Sequence, residues 1–180
     1  MRTHIAISIV ALALLAPAAQ AAPAPERSPE INTIAAGCDV KVYYSFDHYA
    51  NNPKVSRTFI AGDMLQAARG TTALKSSAWD VSGVTDRLTS LLSLHTHSVS
   101  TTKAVRKDLE RVAAKKAYER IMHSRWDDKE LVVFCHRARG KNNIDELLVF
   151  KFRSSYCSRV IQMTGRLRTS DIAAILKMTK

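Results

Sequence analysis

Glycine and proline are scarce, six and five in 180 residues, so collagen-like and Pro/Gly-rich low-complexity architectures are excluded. Acidic residues are few: 16 Asp+Glu face 27 Lys+Arg, a formal charge of +11. Charged residues of both signs make up only 24% of the chain and hydrophobic ones 46%, which excludes compositional disorder. There is no G-x-S-x-G, no P-loop, no G-x-G-x-x-G and no H-E-x-x-H, so the commonest hydrolase, nucleotide and zinc-protease signatures are missing. Cysteine is limited to Cys38, Cys135 and Cys157. In an oxidising compartment an odd count leaves at least one thiol unpaired or paired between chains. After the first residues no run is long and apolar enough for a membrane-spanning helix.

The single long apolar run, Ile5 to Leu15, follows Arg2 and precedes Ala19-Gln20-Ala21. A positive start, a short hydrophobic stretch and a small-x-small end are the marks of an export signal over residues 1–21, hence of a periplasmic or extracellular protein. Removing it takes away one Arg and no acid, leaving +10. Residues 22–37 carry Pro23, Pro25 and Pro29 among small and charged residues without periodicity, and read as a flexible linker. A single domain is expected over residues 38–180.

Within it, Asp39 to Phe46 and Val55 to Ile60 suit strands, and a short apolar helix opens at Gly62-Asp63. Leu88 to Val99 alternates as a strand. Ser100 or Thr101 then starts a helix whose apolar stripe is Val105, Leu109, Val112 and Ala113. Arg106, Lys107, Asp108 and Arg111 are assigned to its polar side. From Tyr118 onward the pattern is a meander: strands to Ser124, over Lys129–Arg137, Ile144–Arg153 and Ser158–Leu167, joined by short turns. Thr169 or Ser170 begins a last helix. The class is α+β: a two-layer domain, mostly antiparallel sheet with a C-terminal β-meander, and two or three helices packed on one face.

Several segments in this order carry a resemblance: Tyr118-Glu119-x-Ile121-Met122, Leu131-Val132-Val133-Phe134, Ile144-Asp145-Glu146-Leu147-Leu148-Val149-Phe150 and Ile161-Gln162-Met163-Thr164-Gly165-x-Leu167. The chain resembles small signal-peptide-bearing bacterial proteins grouped only as a domain of unknown function, from about Val55 to the end and most clearly after Lys103. The resemblance implies export and one α+β domain. It supplies no catalytic residue and no cofactor.

Cations offer the clearest physical direction. Arg137, Arg139 and Lys141 crowd one hairpin, and Lys151, Arg153, Arg159 and Arg166 follow on neighbouring strands. If hairpin folding places part of this set on one face or edge, it attracts an anionic partner: an envelope lipid, another polyanion or an acidic protein. The plain alternative is a solvated edge whose Lys and Arg discourage strand pairing. Aromatic interleaving is thin, so base stacking and nucleic acid are disfavoured. The expected function is therefore a non-enzymatic interaction module. The alternative is a small metal-binding protein or hydrolase using His95 and His97, which a strand directs to one face. The plainer reading, favoured on the spacing alone, is two surface or half-buried histidines of a Leu-rich strand. Cys135 and His136 are strand neighbours facing opposite ways, which argues against a thiolate–imidazolium nucleophile. A Cys38–Cys157 disulfide is geometrically open, because both residues fall at element ends.

Overall fold

In the computed structural model, residues 31–35, 38–68, 75–76, 79–137 and 143–177 are described. The strands are β1 (Ile31–Ala35), β2 (Cys38–Val42), β3 (Val55–Ala61), β4 (Lys75–Ser76), β5 (Trp79–Asp80), β6 (Leu88–Thr96), β7 (Tyr118–Trp126), β8 (Lys129–His136), β9 (Ile144–Arg153) and β10 (Cys157–Leu167). The helices are α1 (Asp63–Ala67), α2 (Val99–Ala114) and α3 (Thr169–Lys177). A six-stranded, fully antiparallel sheet in the order β3-β6-β10-β9-β8-β7 forms the body. The α+β class and the C-terminal meander expected from the sequence are both present. No helix among the described residues is long and apolar enough to cross a membrane.

Two expectations need correction. Ile31–Ala35, placed in the linker, pairs antiparallel with β2, with Thr33 opposite Val40. β-Branched Ile31, Thr33 and Ile34 favour extended backbone, a local signal that the neighbouring prolines obscured. The helices also do not share one face. α2 contributes Val105 and Val112 to a cluster with Leu94, Val132, Phe134, Leu148, Phe150, Phe152 and Val160. α1 and α3 contribute Leu65, Ile172 and Ile175 to another, with Leu91, Leu131, Val133, Leu147, Val149, Ile161 and Met163. Alternate residues of the same strands enter different clusters, so the sheet is covered on both sides. The reason lies in β8 and β9: Leu131–Phe134 and Leu147–Phe150 are unbroken apolar runs, and a strand points successive side chains to opposite faces. One helical layer would leave half of each run in water.

Local chemistry fixes the ends of these elements. Asp171, on the first turn of α3, accepts a hydrogen bond from the backbone N–H of Arg168 at 2.8 Å, one half of a capping box. Its carboxylate also takes both Nε and Nη2 of Arg87, at 2.9 and 2.8 Å, which ties α3 to the start of β6. Gly165 interrupts the ladder of β10 with a bulge and has φ +151°. A Cβ there would stand 2.0 Å from the carbonyl oxygen of Arg87, so only glycine allows the two backbones to approach.

Candidate functional site

Strand register alone assembles one group of cations. Lys129 pairs with Arg153, which pairs with Cys157. One step along, Leu131, Lys151, Arg159, His95 and Ser56 lie in a single row across five strands. The side chains of residues two apart on a strand share a face, so Lys129, Lys151, Arg153, Arg159, His95 and Cys157 gather at one end of the face that carries Leu131, Val149 and Ile161. Arg153 is exposed, and Lys129, Lys151 and Arg159 are half-buried. No ion pair among the described residues involves Lys129, Arg153 or Arg159. Burial lowers the ammonium pKa of Lys151, and the neighbouring charges of Arg159 and Lys129 lower it further. Burial likewise lowers that of Arg159.

Two further cations expected at the site, Arg137 and Arg166, lie elsewhere. Arg137 lies past the end of β8 at the opposite end of the sheet, 3.8 Å from a carboxylate oxygen of Glu119. Arg166 follows the bulge of β10 and lines a groove with Lys41, Tyr43, Thr89, Asp145 and Thr164. Arg139 and Lys141 lie outside the described residues. Arg137, the described residue of the hairpin singled out from sequence, is thus not part of this cluster. Its members come from the middle of the meander, joined by Lys129, which composition gave no reason to single out.

The same end of the face holds the two histidines. The register Ser158 opposite Thr96 sets Cys157 across from position 97, on the side to which His95 and His97 point. Cys157 Sγ is 3.7 Å from His95 Nε2, and the His95 and His97 rings are 4.4 Å apart. One ligand atom from each of the three residues lies within 4.8 Å of the others. Burial holds His95 below the ordinary imidazole pKa, and the charges of Arg159 and His97 lower it further. The thiol of Cys157 is free, as is that of Cys135, which is buried opposite Leu147. The side chain of Cys38, the partner weighed for Cys157, lies outside the described residues. Three other histidines have partners elsewhere: His48 bonds Asp108 at 2.9 Å, His123 bonds Glu130 at 3.1 Å, and His136 stacks on Tyr43.

Two buried acids escaped the sequence reading. Asp108 of α2 accepts hydrogen bonds from Tyr49 at 2.6 Å, Tyr44 at 2.9 Å and Arg111 at 2.9 Å, and pairs with His48. It pins the segment after β2 to the helix. Burial pushes this carboxyl up, but the bonds from Tyr49, His48 and Tyr44 outweigh it and hold it below the usual range. The signal was available: Asp108 stands three residues after Val105 and four before Val112, on the helix's apolar stripe. Glu146 lies in the middle of the sheet on the same face and accepts from Tyr118 Oη at 2.7 Å, from the backbone N–H of Tyr43 at 2.9 Å and from the Gln162 amide. Here burial prevails and the carboxyl is raised. Its alternation with Ile144, Leu148 and Phe150 already placed it inside.

Residues 46–175 match the model of a family described as Domain of unknown function (DUF4252). The chain belongs to this family. No curated protein and no solved structure matches the chain. The DUF4252 segment takes in the whole six-stranded sheet, Asp108, Glu146, the cation cluster and the His95–His97–Cys157 group, and leaves β1 and β2 outside. The likeness read from Val55 onward therefore begins slightly earlier, in the stretch that carries His48 and Tyr49.

Proposed function

We propose that this DUF4252 protein is an exported, non-enzymatic interaction module that binds an anionic partner through the sheet end formed by Lys129, Lys151, Arg153 and Arg159. The observation that carries this reading is the row Lys151–Arg159 beside the row Lys129–Arg153. Four cations from three adjacent strands share one face, and no acid among the described residues ion-pairs with Lys129, Arg153 or Arg159. Half-buried like charges at neighbouring sheet positions repel one another and lose hydration. A bound phosphate or carboxylate relieves both costs, with the planar guanidinium of Arg159 suited to bidentate contact. The excess of base over acid in the whole chain adds long-range attraction.

Co-sedimentation with phosphatidylglycerol vesicles, against neutral phosphatidylcholine vesicles and soluble heparin, tests the proposal. Binding to an anionic probe should fall steeply between low and physiological salt, since screening at 0.15 M acts over about 8 Å. The double variant Lys151→Glu/Arg159→Glu should lose it. Absence of binding at low ionic strength, or binding indifferent to salt and to the double variant, would overturn the reading. Preference for vesicles over heparin would point to a lipid head group as the source of the anion.

A further inference from the structure

We propose that His95, His97 and Cys157 form a zinc site, with the Cys157 thiolate as the ligand that neutralises charge. The geometry is the first argument. A tetrahedral zinc has bonds of about 2.3 Å to sulfur and about 2.0–2.1 Å to imidazole nitrogen, which places two such donors roughly 3.5 Å apart. The observed separation of Cys157 Sγ and His95 Nε2 is 3.7 Å, and all three ligand atoms fall within 4.8 Å of one another. A small rotation of exposed His97 completes the set, while His95 and Cys157 are held on paired strands.

The surroundings select the ion. Arg159 is the cross-strand neighbour of His95 and Lys151 is next in the row. A hard cation such as Ca2+ or Mg2+ seeks several oxygen ligands and finds none in this set. A borderline ion gains from a sulfur and two imidazole nitrogens. On binding, the thiol proton passes to solvent and a sulfur–metal bond forms in its place, so the charge brought near Arg159 is reduced by one. Three protein ligands leave the fourth tetrahedral position to water or to an anion, the coordination of an open rather than a closed zinc site. The site shares its end of the sheet with the proposed anion patch but uses none of the same side chains.

Cobalt(II), which takes zinc's tetrahedral geometry and reports its ligands, provides the test. Full-length protein kept reduced with a phosphine should bind a single Co2+ with a sulfur-to-cobalt charge-transfer band in the near ultraviolet and intense visible d–d bands. Zn2+ should bleach both, and Ca2+ or Mg2+ should not. Cys157→Ser should abolish the charge-transfer band while Cys135→Ser keeps it. His97→Ala changes an exposed position that the core does not use, and should weaken Co2+ by about tenfold or more, at least the loss typical of removing a mere supporting residue. Circular dichroism of each variant reports that the fold is intact. No charge-transfer band in the wild type, a band that survives Cys157→Ser, or unchanged affinity in His97→Ala overturns the site. The Lys151→Glu/Arg159→Glu variant separates this inference from the anion reading: loss of vesicle binding with a retained cobalt spectrum would leave the metal site standing, and the reverse would leave the patch.

Discussion

The two faces of the central sheet treat charge in opposite ways. On the side covered by α2 lie Asp108, on the helix itself, and Glu146, on the sheet, each buried and each met by donors: tyrosines and His48 around one, Tyr118, Gln162 and a backbone N–H around the other. The opposite face, at the end away from α1 and α3, collects Lys129, Lys151, Arg153 and Arg159, and among the described residues no acid ion-pairs with Lys129, Arg153 or Arg159. A buried acid met by internal donors belongs to the fold's own hydrogen bonding, even where, as at Glu146, burial disfavours its ionised form. Where cations gather and the described residues offer Lys129, Arg153 and Arg159 no ion pair, their mutual repulsion contributes nothing to the fold. This difference separates scaffold from surface better than any motif in the chain.

The comparison breaks most visibly at Asp108. Replacing it with alanine strands the hydroxyls of Tyr44 and Tyr49 in the interior and frees the segment before β3. We expect a loss of about 3 kcal/mol in urea unfolding, the usual cost of removing one partner of a buried charged network. A loss below about 1 kcal/mol would mean that the network is decorative.

The two acids should next separate by pH. Asp108 has a depressed pKa, so its contribution is fully present above its ordinary value of 3.8 and is lost as pH falls through the folded value. Glu146 has a raised pKa. Its cost is absent below the ordinary 4.5 and grows as pH rises from there to the folded value, because the fold must hold a carboxylate that burial disfavours. Thermal unfolding followed from pH ~3 to ~8 should therefore show an acid-side fall removed by Asp108→Asn and a fall on raising the pH removed by Glu146→Gln. If both variants flatten the same limb, the assignment of opposite signs is wrong.

The smallest effect is expected on the other face. Arg153→Ala, at an exposed site outside any ion pair among the described residues, should alter stability by no more than about 0.5 kcal/mol, yet weaken binding to anionic vesicles. A clear destabilisation would show that the cations serve the fold after all.

Much of the fold was legible in the chain because its signals are local. The turn at Asp127-Asp128, the alternation through Ile144–Arg153 and the helical spacing of Val105 and Val112 each act over a few residues, and the elements form where those signals lie. The buried acids were legible in principle, as Asp108 occupies an apolar-stripe position, but a charged residue on a helix is ordinarily solvated. Even the two-sided burial of β8 and β9 was written in their unbroken apolar runs.

What the sequence by itself determined is the element order, the α+β class and the excess of positive charge, all consequences of residue type and short-range periodicity. Only the tertiary structure decided which of those charges meet. Register joins Lys129 to Arg153 and Lys151 to Arg159, separates Arg137 and Arg166 at the far end, and carries Cys157 across 62 residues to His95. Side-chain direction has a period of two in a strand, so one residue of slip would send each of these groups to the other face. That alignment is set by the packing of both apolar faces, and no local pattern encodes it.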